Sequence, residues 1–349
     1  MKQRSTYNAG FDLVKALLAL TVISIHTVLW TKNRYIGFIG IPITRLAVPI
    51  FFLFSGYFFF KRARVLEKSK QLSLLKHSEK RYLQLYFFWF IVTFPVTYET
   101  MHYFANGILL GLKRLIFDGF LFGSTFFASW YIMGVILGIP IVYFASRFLN
   151  NKVLLVLAWL VNAFAVILTN YGLSPLGQSA LNWLHSWPIS ISPSLSFMVG
   201  LVWIVIGKMF ADGDLDKFVK PHAIYWAGGA MLLLYAEEFI VHRLHFVYYN
   251  DCYFMLLPVS VLLFGWLLTT HISVPYAREM RAFSTIAYCF HGSFVLCVKY
   301  LLQLAGLQIT RISQSVLFWL VTVIVSWFLT LLILKLQRVR GLGWLKLSH

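Results

Sequence analysis

About ten apolar runs, each long enough to cross a bilayer, recur along this chain of 349 residues, at roughly 9–31, 38–60, 82–104, 127–146, 153–170, 194–211, 222–240, 253–270, 283–304 and 314–336. Some twenty apolar residues in a helix match the thickness of a hydrocarbon core. Within lipid every backbone N–H and C=O must be paired inside the protein, so an unbroken run of this kind forms a helix. With 60% hydrophobic and only 12% charged residues, no soluble core could hide so much apolar surface. The pattern predicts an all-α, polytopic integral membrane helix bundle of about ten transmembrane helices. It forms one domain spanning residues 1–349, since the longest polar stretch, 61–81, is only about a helix long.

A net charge of +18 raises the question of nucleic acid. The basic residues do not gather on one surface, however; they fall between the apolar runs, and a nucleic-acid footprint is excluded on that ground. Their distribution instead sets the topology. With the N-terminus inside, 21 of the 30 Lys and Arg residues fall on inside segments, 6 on outside loops and 3 (Lys15, Arg45 and Lys299) within spans. That bias predicts cytoplasmic N and C termini. The first span resembles a signal peptide in position, but its charged interior and the lack of a small-x-small cleavage site predict that it is retained. The segment 61–81 is expected to be a basic amphipathic cytoplasmic connector contacting anionic lipid.

The first span, AGFDLVKALLALTVISIHTVLW, holds Asp12, Lys15 and His26. Ionisable groups at membrane depth are costly and mark function. At about 100° and 1.5 Å per residue, Lys15 and His26 share a stripe with Asp12 and lie roughly 16 Å apart along the axis. One face therefore carries a cation towards the cytoplasm and a titratable nitrogen towards the outside. The cysteines Cys252, Cys289 and Cys297 suggest neither a disulfide framework nor a metal site.

The motif Asp12-x2-Lys15-x10-His26 resembles the opening signature of the membrane acyltransferase-3 family, whose usual form is Asp, two residues, Arg, ten residues, His. VPIFFLFSGYFFFKR (48–62) is similar to its second-helix stretch and KRYLQLYFFW (80–89) to the basic start of its third. SWYIMGVILGIP (129–140) resembles the fourth helix and STIAYCFHGSFV (284–295) the late Tyr-x-x-His-like helix. The likeness is nearest to the polysaccharide-modifying O-acetyltransferases of bacterial envelopes. It implies transfer of an acetyl group from cytoplasmic acetyl-CoA to a sugar hydroxyl of an envelope glycan or its lipid-linked precursor. A bacterial cytoplasmic (inner) membrane location is implied, with membrane lipid as surroundings, no metal and no nucleic acid. Two departures stand out: Lys15 replaces the usual Arg, and Arg81 is followed by Gln84 where the family has paired arginines.

Acyl transfer to an alcohol needs a base that titrates near neutrality, and His26 is the expected general base. Asp12 is too far along the helix to orient His26; it is expected to pair with Lys15 and fix that cation for the anionic groups of CoA. Lys80 and Arg81 supply further cations at the cytoplasmic edge. Arg45 is expected as an oxyanion donor or as the partner of a buried acid, and Ser55 as another donor or, with Gly56, as a helix-packing pair. Glu237 and Glu238 either accept hydrogen bonds from the glycan or face Arg45 or Lys299 within the bundle. Trp130, Trp183 and Trp187 belong to an interfacial belt or form sugar-stacking platforms. His291 is either a second catalytic group or a helix contact, and Lys15 itself could simply snorkel. The outer loop 171–192 has no Lys or Arg and would suit a glycan. The competing class is a transporter or flippase for a small polar or lipid-linked solute, with His26, Lys15 and the glutamates lining its path.

Overall fold

The structure, a computed structural model, describes residues 8–105, 107–187 and 191–349; Lys2 and Arg4 of the charge count and part of the loop 171–192 lie outside them. Helices make up the described chain, with no strand among the described residues. They are α1 (Gly10–His26), α2 (Arg34–Arg45), α3 (Ala47–Arg64), α4 (Lys68–Met101), α5 (Ile108–Lys113), α6 (Trp130–Ala145) and α7 (Asn151–Leu168). There follow α8 (Pro175–His185), α9 (Phe197–Asp212), α10 (Ala223–Arg243), α11 (Leu256–Thr269), α12 (Ala277–Leu304) and α13 (Ile312–Leu336). Among the described residues, five helical stretches are long and apolar enough to cross a membrane: Arg34–Arg64, Asn151–Leu168, Ala223–Arg243, Ala277–Leu304 and Ile312–Leu336. Trp130–Ala145 and Leu256–Thr269 are shorter apolar helices. Large apolar side chains such as Leu317, Ile324 and Phe328 stand exposed along α13, as a lipid-facing helix requires.

Local sequence explains where helices begin. Asn33 caps α2 by accepting from the amides of Tyr35 and Ile36, at 2.9 and 3.2 Å. Asn150 caps α7, and Ser174 with Pro175 starts α8. Three segments differ from the sequence reading. The second run begins earlier than expected, at Arg34, and bends at Leu46 between Pro42 and Pro49, where proline removes backbone donors. The connector 61–81 is not separate: from Lys68 it is the first part of the 34-residue α4. The loop 171–192 contains the helix α8.

The core is built where small residues let helices approach closely. A Cβ at Gly56 of α3 would lie 2.6 Å from the Ile204 carbonyl of α9, and one at Gly207 of α9 would lie 2.6 Å from the Leu53 carbonyl of α3. Gly56 is therefore a packing residue, as one of the two sequence readings had it. Contacts also set the directions of the helices. Asp12 of α1 meets Arg281 near the start of α12, while His26 at the end of α1 meets His291 further along α12. The two helices run side by side in the same sense, with an Asp12 end and a His26 end. Asn8 bonds the Thr270 carbonyl, and the Ser348 carbonyl accepts from Trp89 of α4 at 3.0 Å, so both ends of the described chain sit at the Asp12 end.

Candidate active site

At the Asp12 end, the buried Asp12 carboxylate is gripped by Arg281, with Nη2 at 3.0 Å and Nε at 3.2 and 3.3 Å from its oxygens. This corrects the expected Asp12–Lys15 pairing: the fork of a guanidinium matches a carboxylate better than a point-charge ammonium does. Lys15 instead lies over the rings of Phe54 and Phe58 of α3, at 4.8 and 5.1 Å from their centres. The charges of Asp12, Arg281 and Arg81 all reach Lys15. Lys80 is exposed on α4 and lines a wide apolar groove of about 910 Å³ with Glu79 and Trp344, away from Lys15.

At the other end, the His26 ring packs edge-on to Phe127 at 4.7 Å and lies 5.2 Å from the ring of His291. His291 is fully buried, and its Nδ1 is 2.9 Å from the Ala287 carbonyl. A carbonyl can only accept, so Nδ1 carries the proton and a neutral His291 keeps a bare lone pair on Nε2. That Nε2 is buried and has no hydrogen-bond partner among the described residues. The contact to its own helix expected of one reading is present, and it leaves the second nitrogen of His291 free. Gly292 makes room for Phe127: a Cβ there would fall 2.1 Å from the ring's Cδ1. Two residues flanking the pair adopt left-handed backbone, Val28 with φ 54° and Ala128 with φ 62°. For a β-branched valine this conformation is strained, and strain of this kind gathers at functional sites.

Aromatic side chains in contact, two of them tyrosines, lie between the two ends. Tyr288 lies 6.1 Å from His291 and 5.4 Å from Tyr131, ring to ring, and donates its proton to the Ala128 carbonyl. Tyr131 meets Ser55 at 3.0 Å between oxygens, and Ser55 follows Phe54, one of the two rings under Lys15. α1, α3, α6 and α12 therefore carry a track of aromatic and hydroxyl side chains between Lys15 and His26.

The other expected site residues lie off this track. Arg45 pairs with Asp251, a partly exposed acid rather than the buried one expected, at 3.0 Å, and its charge reaches the His26 ring. Glu237 accepts from the backbone amides of Phe254 and Met255, at 2.9 and 2.8 Å, and so holds the start of α11. Glu238 meets His242, Asn250 and Tyr253. No hydrogen bond or ring contact joins either glutamate to His26 among the described residues. Trp130 is half-buried against Phe52, with ring centres 6.1 Å apart. Trp183 and Trp187 are exposed, as a belt pair would be.

A profile described as an acyltransferase domain, that of the acyltransferase-3 family, matches residues 8–331. The chain belongs to the acyltransferase-3 family. Within it, the matched region takes in the whole track, from Asp12 to His291. This acyltransferase-3 chain is 25% identical over 351 residues to a protein named amino-acid racemase from Enterococcus faecalis, a match covering 97% of the chain and 47% of that relative. The chain thus spans about half the length of the curated relative. No solved structure matches. Sequence alone signalled His26 through its apolar surroundings. It marked Tyr288 only through the resemblance of the late helix and did not single out Phe127 or Tyr131, because in a chain with 18% aromatic residues only tertiary contact distinguishes them.

Proposed function

We propose that this family member is a membrane O-acyltransferase that moves an acetyl group from cytoplasmic acetyl-CoA to a sugar hydroxyl of a cell-envelope glycan or its lipid-linked precursor. Its setting is the bacterial cytoplasmic membrane, with the Asp12 end cytoplasmic. The observation that carries the reading is the pair His26 and His291, 5.2 Å apart, with the proton of His291 held on Nδ1. An acceptor hydroxyl beside the pair loses its proton to an imidazole as its oxygen attacks the thioester carbonyl. The tetrahedral intermediate then collapses, the C–S bond breaks, and the CoA thiolate leaves and takes up a proton. His26, which makes no hydrogen bond to a described residue, is the base in this scheme, and His291 is its proton partner. Lys15 and Arg81 meet the anionic groups of CoA at the other end. The track of aromatic and hydroxyl side chains lines the roughly 16 Å that the thioester arm must cross in this scheme.

The test is His26→Ala in cells making the glycan. Expression and insertion should stay near normal while glycan acetylation falls by about 10² to 10⁴ fold, the contribution of one general base. Full acetylation by a well-expressed variant removes His26 from the mechanism. A glycan unmodified even with the parent protein, together with altered solute flux, turns the reading to transport.

A further inference from the structure

Beside the His26 end lies a cavity of about 430 Å³, between the loop after α1 and the end of α12. Val28, Lys32, Lys299, Leu302, Gln303 and Gln308 line it, and no carboxylate does. The volume falls in the range of small-molecule sites. Lys32 and Lys299 make no ion pair among the described residues, although their charges are close enough to act on each other. Two like charges facing one cavity with no counter-charge favour an anion there. An ammonium serves carboxylate or phosphate as a point charge. The two glutamine amides offer both donors and acceptors to hydroxyl groups, and Val28 and Leu302 offer apolar surface to a sugar ring.

The cavity is coupled in space to the histidines. Val28 is two residues beyond His26, in the strained left-handed turn, and Lys299 is eight residues beyond His291 on α12, about 12 Å by the helical rise. The charge of Lys299 reaches the His26 ring. The turn is held rigidly, since the Trp30 indole donates to Ser24 at 2.7 Å and fills the space that a Cβ at Gly40 would need.

We propose that this cavity binds the anionic group, a carboxylate or a phosphate, of the sugar acceptor, so that the protein selects an acidic glycan over a neutral one. The proposal rests on the acyl-transfer reading and names the substrate class of that site. Its test separates binding from transfer. The full chain, in phosphatidylcholine nanodiscs, is titrated calorimetrically with glucuronate, glucose 1-phosphate and glucose as probes. Both acidic sugars should bind saturably and glucose should not, with affinity falling as salt is raised. Lys32→Gln with Lys299→Gln should weaken the acidic sugars at least about tenfold, Lys32→Arg with Lys299→Arg should restore them, and His26→Ala should bind like the parent. Equal binding of glucose, or acidic-sugar binding that survives the double glutamine change, overturns the proposal. So does a site that, in a parallel set of nanodiscs containing phosphatidylglycerol, answers only to that lipid, which would make it a lipid headgroup site. Because His26→Ala is read by binding alone, a failure of acetylation leaves this outcome independently visible.

Discussion

Lys15 illustrates how much a single side chain depends on what it faces. A lysine that snorkels extends into water, whereas this one rests on two phenylalanine faces, which attract a cation through their quadrupoles. Lys15→Arg should keep transfer, because a cation and ring stacking both survive. Lys15→Met should raise the KM for acetyl-CoA about tenfold, or about 1.4 kcal/mol, with the acceptor KM unchanged. Equal acetyl-CoA kinetics for Lys15→Met and the parent would return Lys15 to a passive role. Glu79, on the polar start of α4, carries a second prediction. Its Oε1 is buried without a hydrogen-bond partner, and burial pushes its carboxyl up to about 7. The folded protein then holds the Glu79 proton more tightly than the unfolded chain does. The stability linked to it is full below the ordinary carboxylate range and is lost as pH rises to about 7. Glu79→Gln should flatten the fall in unfolding temperature between the ordinary carboxylate range and about pH 7; an unchanged pH profile of thermal unfolding would refute this.

At the scale of elements, α12 joins both ends of the track, bringing Arg281 to Asp12 and His291 to His26. Its packing against the segment before α6 depends on Gly292. Gly292→Ala should push the Phe127 ring towards His26, at a cost of about 1–3 kcal/mol from overpacking, with a larger proportional loss of transfer than of expression. Thermal unfolding and glycan acetylation measured on the same preparation test this, and parental activity in both would show that the ring yields freely. The helices were legible from apolar length where a run was uniform, as in α7 and α13. They were less so where charge and apolar character share one helix, as in α4, because a polar first half reads as a connector. His26 was legible because an imidazole in an apolar run stands out. The Arg281 partner of Asp12, 269 residues away, was not, since nothing local in either segment specifies the contact. Glu237 and Glu238 stood out equally on chemical grounds, yet tertiary contacts commit Glu237 to holding α11.

For the whole molecule, the charge bias of the sequence makes topology testable at two exposed serines, Ser69 at the start of α4 and Ser179 on α8. In a background lacking Cys252, Cys289 and Cys297, Ser69→Cys and Ser179→Cys are treated in intact cells with a membrane-impermeant thiol reagent. Labelling at position 179 alone is expected from the charge bias. Labelling at position 69 alone would invert the protein and give His26 a cytoplasmic acceptor. The last residues also bear on how the protein can be handled. Trp344 packs on Phe88, the Ser348 carbonyl is tied to Trp89, and burial, then the charges of Arg278 and Arg81, hold the His349 imidazole below its usual range. A purification tag or fluorescent reporter fused after His349 would therefore emerge beside Arg278 and Arg81, where an acidic linker would be drawn to their charges, so engineered fusions belong on another segment, such as α8.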